Sequence, residues 1–168
     1  MKKINIAIIG LGNIGSYLFK YLSENKKILT EKNNCTPIVS YVSAKNKHKK
    51  RNLKINKKQW LNNYLDATTN ENVDLIVELV GGSEGPAKKL VFAALKNKKH
   101  VVTANKALIA KYGDQLAKIA EKNKVNLEFE AAVCGGVPIV RSLKEGLIAK
   151  KITKIYGIFN GTSNYILS

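Results

Sequence analysis

Three glycines near the start of the chain, Gly10, Gly12 and Gly15, have the spacing of a phosphate-binding turn. The apolar residues 4–9 before them predict a strand buried on both faces, and apolar residues at helical spacing follow them. There the first glycine permits a sharp turn, the second leaves the backbone open to a pyrophosphate, and the third lets the helix pack closely on the strand. The pyrophosphate of a dinucleotide would rest on amides at the positive end of the helix, although an ordinary tight turn is the alternative.

A lysine directly follows the fourth predicted strand. Lys106 comes after His100–Thr103, at the carboxyl edge where a cofactor and a substrate would meet. An ammonium group at that edge can orient or protonate an oxyanion. Because the chain has 29 basic residues, a solvated lysine without a function is the competing interpretation.

Cys134 raises the alternative of an aldehyde dehydrogenase with a thiolate nucleophile. Such a nucleophile usually needs an adjacent base, and neither His48 nor His100 is placed to supply one. We therefore predict that Cys134 is a small buried filler. Glu130 is followed by glycine-rich backbone and could hold a cation together with nearby carbonyl oxygens, since hard cations prefer oxygen ligands.

The end of the second predicted strand bears on which dinucleotide is bound. In such folds this strand usually ends in an Asp or Glu that binds the ribose 2′-hydroxyl, whereas a basic residue accommodates a 2′-phosphate. This chain has no acidic residue between Glu31 and Asp66, and the strand runs into Lys45 and Lys47. The pattern favours NADP(H), or weak discrimination between the cofactors, over strict use of NAD. The alternative is that these lysines only form a solvated loop.

The elements that must position these residues alternate between strand and helix. Strands are predicted at residues 4–9, 36–43, 73–80, 100–103 and 125–131. Helices are predicted at residues 16–23, 57–64, from Pro86 onward and at 107–121, with a loop over 25–34. The alternation predicts a doubly wound, Rossmann-type parallel sheet with ligands at the carboxyl edge of its strands.

Two further stretches add to this outline. The pair Gly81-Gly82 after the third strand lets backbone approach a ligand, unless it is merely a loop. After Glu130 the pattern changes to a loop at 134–138, a helix at 139–148, a strand at 151–159 and the start of a helix at 160–164.

Composition narrows the possible classes of protein. With 168 residues, 45% of them apolar, the chain can bury a core. No run approaches the ~20 apolar residues that cross a bilayer and no signal peptide is evident, so we expect a cytoplasmic protein without a membrane partner. The formal net charge of +17 invites a nucleic-acid partner. However, only Arg51 and Arg141 among the 29 basic residues are arginine, which fits a codon bias, and we expect no specific nucleic acid.

Five segments, in this order, resemble homoserine dehydrogenase. They are Gly-Leu-Gly-Asn-Ile-Gly at 10–15, Val-Glu-Leu-Val-Gly-Gly at 77–82, Val-Thr-Ala-Asn-Lys-Ala-Leu-Ile at 102–109, Glu-Ala-Ala-Val-Cys-Gly-Gly-Val-Pro-Ile at 130–139, and Gly-Ile-Phe-Asn-Gly-Thr-Ser-Asn-Tyr-Ile-Leu at 157–167. The first is common to many dehydrogenases, whereas the last three are far more specific. The resemblance spans nearly the whole chain.

The resemblance implies reduction of L-aspartate 4-semialdehyde to L-homoserine by NAD(P)H, a branch step toward threonine and methionine. It assigns the glycine turn, with Asn13 and Ile14, to the cofactor. It places Thr103 and Lys106 where the nicotinamide and the substrate meet. The lysine would stabilise the charge that develops on the carbonyl oxygen and supply a proton.

The resemblance also implies a monovalent-cation site, usually for sodium, and a substrate-contacting loop. The cation ligands would be the Glu130 carboxylate and the backbone carbonyls of Val133, Gly135 and Val137. Gly161 and Thr162 resemble the substrate loop. Cys134 replaces a small residue and Ser163 a threonine of the family pattern, but backbone oxygens would still hold the cation.

In the family the substrate domain continues and supplies acidic groups for the substrate amine, a further lysine and the dimer interface. The chain therefore resembles a dinucleotide-binding domain over residues 1–130 and the incomplete start of an α+β substrate and dimerisation domain over 131–168. We predict weak NADP(H) binding and little turnover by this chain, and a homodimer for a full-length form. A non-catalytic NAD(P)-binding sensor and a dehydrogenase of a related amino-acid precursor are the alternatives.

Overall fold

The computed structural model describes residues 2–133, 135, 137–147, 149 and 151–157. The strands are β1 (Lys2–Ile9), β2 (Cys35–Ser43), β3 (Leu75–Glu78), β4 (His100–Thr103) and β5 (Leu127–Glu128). The helices are α1 (Asn13–Glu24), α2 (Lys26–Asn33), α3 (Asp66–Thr69), α4 (Pro86–Lys96), α5 (Lys106–Asn123) and α6 (Ile139–Arg141). The strands form one parallel sheet in the order β2-β1-β3-β4-β5. The predicted Rossmann-type α/β fold is confirmed.

The register of the sheet brings the ends of four strands into one row. Ile9 at the end of β1 pairs with Ser43 of β2 on one side and with Glu78 of β3 on the other. Glu78 pairs in turn with Thr103, the last residue of β4. Because all these pairs are parallel, the loops that follow the strands open at the same edge of the sheet. The glycine turn after β1 and the loop before Lys106 therefore share one rim.

The core supports this rim from both faces of the sheet, as a central parallel sheet requires. One face packs against α4 and α5, where Leu90 and Leu108 are fully buried. The other face packs against α1, chiefly through Phe19. Truncating one such large side chain to Ala typically lowers the free energy of unfolding by about 2–5 kcal/mol. This packing supports the strand ends on which the site is built. In the described part of the chain, no helix is long and apolar enough to cross a membrane.

Local signals start the helices at this edge. Pro86 is the first residue of α4, where its missing N–H leaves no hydrogen bond unmade. The side chain of Asn105 caps α5 by accepting a hydrogen bond from the backbone N–H of Leu108 at 3.1 Å. At α1 the cap residue is Gly12, and among the described residues no side chain caps the helix. The first amides of α1 are therefore available to a ligand or to water.

Two predictions in the first half of the chain are wrong. The predicted loop at 25–34 contains the helix α2, which ends at Asn33 and is followed by Asn34 in the left-handed conformation. This helix is largely polar and packs on β2, so tertiary contact, not its own weak apolar pattern, holds it. The predicted helix at 57–64 is a single 3₁₀ turn, Lys57–Gln59. It ends because Trp60 pairs with Val42 at the edge of the sheet.

Predictions after β4 hold only in part. The fifth strand, predicted over 125–131, is limited to the two residues of β5 and is followed by a 3₁₀ turn, Glu130–Ala132. The helix predicted at 139–148 consists of α6 and a π-helical turn, Ser142–Gly146. Residues 151–157, predicted as strand, form none, since an extended segment needs a neighbour to pair with. Residues 158–164, with the rest of that strand and the last predicted helix, lie outside the described part.

Candidate functional site

The three glycines of the turn after β1 are required for three different reasons. Gly10 has a φ of +108°, which residues with a side chain rarely adopt, and a Cβ there would lie 2.5 Å from the carbonyl oxygen of Leu79. A Cβ on Gly15 would lie 1.9 Å from the carbonyl oxygen of Gly10. For Gly12, no heavy atom of the described residues lies within 4 Å of such a Cβ. Gly12 thus borders open space, which a pyrophosphate needs.

A cleft of about 320 Å³ opens at the amino end of α1. Gly12, Asn13 and Tyr17 line it from the glycine turn and α1. Lys49 and Lys50 line it from the loop after β2. Lys20 of α1 is a third lysine in its wall. The positive end of the helix dipole and three lysines therefore border the same cleft, an arrangement that suits a polyanion.

Arg51 attaches this basic loop to the glycine turn. Its Nε donates to the carbonyl oxygen of Leu11 at 3.0 Å, and its Nη1 and Nη2 donate to the carbonyls of Lys49 and Asn46 at 3.0 and 2.9 Å. Sequence reasoning pointed to Lys45 and Lys47 and missed this contact. The sequence feature that could have identified this residue is its rarity, because Arg51 is one of only two arginines in the chain.

A second cavity, of about 170 Å³, lies between the glycine turn and the end of β4. It is lined by Ile14, Glu78, Leu79, Val80, Gly81, Ala104 and Asn105. Gly81 of the predicted glycine pair borders it, and both glycines have positive φ, +81° at Gly81 and +80° at Gly82. The backbone rather than a side chain of Gly81 therefore forms part of the wall.

A buried carboxylate holds this cavity together. Glu78 is fully buried, and its Oε1 accepts hydrogen bonds from the backbone N–H groups of Val80 at 2.7 Å and Gly81 at 3.0 Å. Its Oε2 accepts a third from the hydroxyl of Thr103 at 2.5 Å. These donors satisfy a carboxylate that burial would otherwise penalise. Sequence reasoning missed Glu78, although an acidic residue inside an apolar strand must have partners.

The hydrogen bonds continue into the loop before α5. The backbone N–H of Asn105 donates to the hydroxyl oxygen of Thr103 at 3.0 Å, and its side chain donates to the carbonyl of Gly82 at 2.7 Å. The glycine pair, the end of β4 and the start of α5 are therefore joined through one network. Thr103, predicted to meet the nicotinamide, is fully buried and uses its hydroxyl within this network.

Lys106 is the first residue of α5 and is exposed. A cation at the amino end of a helix opposes the helix dipole, at a cost of roughly 0.3–1 kcal/mol. The first turn of α5 contains no acidic residue that could offset this cost. The preceding residue, Asn105, lines the cavity at the end of β4.

An exposed charge cluster anchors the loop after the glycine pair to α5. Glu84 accepts hydrogen bonds from Lys111 Nζ at 2.7 Å, from the hydroxyl of Tyr112, and from Lys88 Nζ at 3.2 Å. These bonds, that of Lys111 foremost, lower the pKa of Glu84 to about 2. The bond to Glu84 raises the pKa of Lys111. The cluster therefore ties the rim of the site to the helix that carries Lys106.

Glu130 lies at the start of the 3₁₀ turn after β5 and caps α6. Its Oε1 accepts from the backbone N–H of Val140 at 3.0 Å, and its Oε2 from that of Arg141 at 2.8 Å. The other predicted cation ligands, at 133, 135 and 137, follow in the adjoining loop. No group of three or more His, Cys, Asp or Glu side chains within the described residues could hold a metal ion. The predicted site thus depends on carbonyl oxygens. Gly161, Thr162 and Cys134 lie outside the described residues.

The fold and the glycine turn together define the class of protein: a dinucleotide-binding α/β domain of the Rossmann type. A family model described as "Homoserine dehydrogenase, NAD binding domain" matches residues 10–130, and one described as "Homoserine dehydrogenase" matches residues 138–168. The chain belongs to the homoserine dehydrogenase family.

Similar proteins extend well beyond the matched length. The homoserine dehydrogenase of Bacillus subtilis (strain 168) is 40% identical over 168 residues, which are 100% of this chain and 39% of that relative. A crystal structure of a homoserine dehydrogenase from Thiobacillus denitrificans aligns with a TM-score of 0.84 at 39% identity, over 100% of this chain and 38% of that one. A hyperthermophilic archaeal homoserine dehydrogenase in complex with NADPH shares the fold, with a TM-score of 0.69 at 22% identity, over 88% of this chain and 50% of that one.

Proposed function

We propose that this protein serves the reduction of L-aspartate 4-semialdehyde to L-homoserine with NADP(H) as cofactor. The observation that carries the proposal is the shared rim, where the glycine turn and Lys106 open at one edge of a single parallel sheet. The substrate follows from the family. Because the chain spans 39% of the Bacillus relative, we expect it to bind the cofactor weakly and to turn over little without the remaining length.

The residues present fit a nicotinamide dinucleotide. Gly12 and Asn13 would hold the pyrophosphate, because a Cβ at Gly12 meets no described atom within 4 Å and no described side chain caps α1. Lys49 and Lys50, which line the same cleft, would bind a 2′-phosphate. The strand β2 ends in Ser43, so its end supplies no carboxylate for a ribose 2′-hydroxyl. These features support NADP(H) over NAD(H).

The cofactor and this chain would supply different parts of the reduction. When bound, the nicotinamide supplies the hydride. Lys106 would stabilise the negative charge that develops on the aldehyde oxygen and would donate a proton to it. The cap that Asn105 provides fixes the start of α5, so the ammonium needs little rearrangement when charge develops.

We also propose that a monovalent cation, most simply sodium, binds at Glu130. The amides of Val140 and Arg141 occupy about two of the roughly four lone-pair positions of the Glu130 carboxylate, which leaves room for a hard cation. The carbonyls of Val133, Gly135 and Val137 would supply the other ligands. By resemblance to the family, Gly161 and Thr162 would contact the substrate, and the full-length protein would be a homodimer.

Cofactor binding can be followed through Trp60, the one tryptophan of the chain. Its ring centroid lies 5.8 Å from Lys47 Nζ and 5.9 Å from Arg51 Cζ, beside the basic loop. We expect NADPH to quench its fluorescence at lower concentration than NADH does. Equal affinity for NADPH and NADH would refute the proposal that the cleft binds the 2′-phosphate.

The lysines of the cleft should account for that preference. The double variant Lys49→Ala/Lys50→Ala should lose about 10- to 100-fold in affinity for NADPH and little for NADH, since a hydrogen bond to a charged group contributes about 1.5–3 kcal/mol. The matched control is Lys57→Ala/Lys58→Ala, which removes the same charge from residues that do not line the cleft. Equal losses in both double variants would indicate a general effect of charge.

The reaction is tested in a chimera in which this chain replaces the aligned segment of the Bacillus subtilis relative. We expect aldehyde-dependent oxidation of NADPH by the chimera and loss of that activity in Lys106→Ala. Lys118→Ala, an exposed position on the same helix, is the control and should keep the activity. A sensor module would show the opposite pattern, with no turnover and a Lys106→Ala variant that binds cofactor as before.

A further inference from the structure

The cavity beside Gly81 is lined by an acidic side chain, Glu78, to which the proposed reaction gives no role. Among the described residues that line it, Glu78 is the only ionisable one. Its donors are neutral, two backbone amides and a hydroxyl. None of the ion pairs within the described residues includes it. The negative charge of this fully buried carboxylate is therefore not cancelled by a cation in contact with it.

The cavity that holds this charge lies between the predicted cofactor-binding turn and the start of α5. Ile14 of the glycine turn lines one part of the wall, and Asn105, next to Lys106, lines another. A dinucleotide bound at the glycine turn would reach the substrate through this space. The nicotinamide ring is neutral when reduced and carries a positive charge when oxidised. A fixed carboxylate acts on such a charge more strongly inside a protein than in bulk water.

We propose that Glu78 makes this cavity prefer the oxidised, cationic nicotinamide and thereby stabilises the positive charge that the ring gains during aldehyde reduction. The inference rests on the proposed function. In that step the hydride, with its two electrons, passes to the carbonyl carbon, which oxidises the ring and reduces the aldehyde, and Lys106 gives its proton to the oxygen. The carboxylate and the ammonium thus each face a developing charge of opposite sign.

The decisive variant is Glu78→Gln, which removes the charge and can keep the hydrogen bonds. The amide oxygen can accept from Val80 and Gly81, and the amide N–H can donate to the hydroxyl oxygen of Thr103. We expect the affinity for NADP⁺ to fall about 10- to 100-fold relative to that for NADPH, the range expected for one charge acting across roughly 6–12 Å at an effective dielectric of about 20. Trp60 fluorescence and calorimetry give both dissociation constants.

Two controls separate charge from geometry. Glu78→Asp keeps the negative charge but shortens the side chain and so disturbs its hydrogen bonds, and the ratio of the two dissociation constants should stay within about twofold of the parent value. Asp74→Asn removes one negative charge at the opposite edge of the sheet, where Asp74 bonds to Asn5, and should also leave the ratio unchanged. A Glu78→Asp shift as large as that of Glu78→Gln would overturn the inference in favour of a purely structural role.

A second variant keeps the inference testable if Glu78→Gln does not fold. Ile14 lines the cavity and is 65% exposed, so Ile14→Lys places a cation near the carboxylate without disturbing the core. It should shift the ratio toward NADPH, as Glu78→Gln does. An unchanged ratio in the folded variants refutes the inference alone. A parent chain that binds neither form of the cofactor refutes the proposed function, and the inference with it.

Discussion

Gly12 and Gly15 lie in one turn, yet the same added methyl group has different expected consequences at each. A Cβ on Gly15 would lie 1.9 Å from the carbonyl oxygen of Gly10 and 3.0 Å from its carbonyl carbon. Both atoms are backbone, so β1 and α1 would have to separate by more than about 1 Å to restore a normal contact. At Gly12 the methyl group would enter open space, and φ is −75°, which alanine readily adopts.

The magnitudes follow from these contacts. Overpacking a backbone contact of this kind costs about 3 kcal/mol, which for a chain of this size lowers the melting temperature by roughly 6–12 °C. Gly12→Ala should change the free energy of unfolding by less than about 0.5 kcal/mol, because the methyl group meets no described atom and gives a small gain in the unfolded state. It should nevertheless weaken NADPH binding about 10- to 100-fold, the loss of one charge-assisted hydrogen bond to the pyrophosphate.

The two effects are measured separately. Thermal unfolding by circular dichroism reports stability, and quenching of Trp60 fluorescence reports NADPH affinity. Gly12→Ala should keep the melting temperature of the parent and lose affinity, whereas Gly15→Ala should lose stability first. If Gly12→Ala binds NADPH as tightly as the parent, the turn is not the pyrophosphate site. If Gly15→Ala melts as the parent does, the close approach of α1 to the turn is not as described.

Three further predictions concern charges around the site. Lys106→Gln should raise the free energy of unfolding by about 0.3–1 kcal/mol in denaturant titration, because it removes a cation from the amino end of α5; a loss of stability would contradict this. The pKa of Glu84 is lowered to about 2, so its stabilising contribution is present above about pH 4.5 and is lost as pH falls toward 2. Glu84→Gln should remove that part of the acid dependence of the melting temperature, and an unchanged profile would count against it. Sodium should raise the melting temperature of the parent more than tetramethylammonium at equal ionic strength, but not that of Glu130→Gln, and equal responses would reject a cation at Glu130.

Much of the framework can be predicted from local sequence. The apolar run before the glycines, the proline that starts α4 and the short strand before Lys106 are signals carried by adjacent residues. The helix α2 is the counter-example. Its sequence is polar and its apolar pattern weak, so its helical state depends on packing against β2, which local reasoning does not include.

The glycine turn shows how far local patterns reach. One residue separates the first two glycines and two residues separate the second from the third, and the demand that each makes on the backbone can be deduced from the motif. The basic loop shows the limit. The pattern after β2 points to Lys45 and Lys47, whereas the lysines of this loop that line the cleft at α1 are Lys49 and Lys50, next to the contact of Arg51 with the turn.

Periodicity and steric demands between neighbours in the chain therefore suffice to predict the alternation of strands and helices, the glycine turn and the place of Lys106 after a strand. The remainder depends on strand register and packing between distant segments. Glu78 meets Thr103, 25 residues further along, only because β3 and β4 pair in one register. Arg51 reaches the carbonyl of Leu11, 40 residues earlier, only because β1 and β2 are neighbours in the sheet. Such contacts have no counterpart in the order of residues, since they exist only once the sheet has assembled.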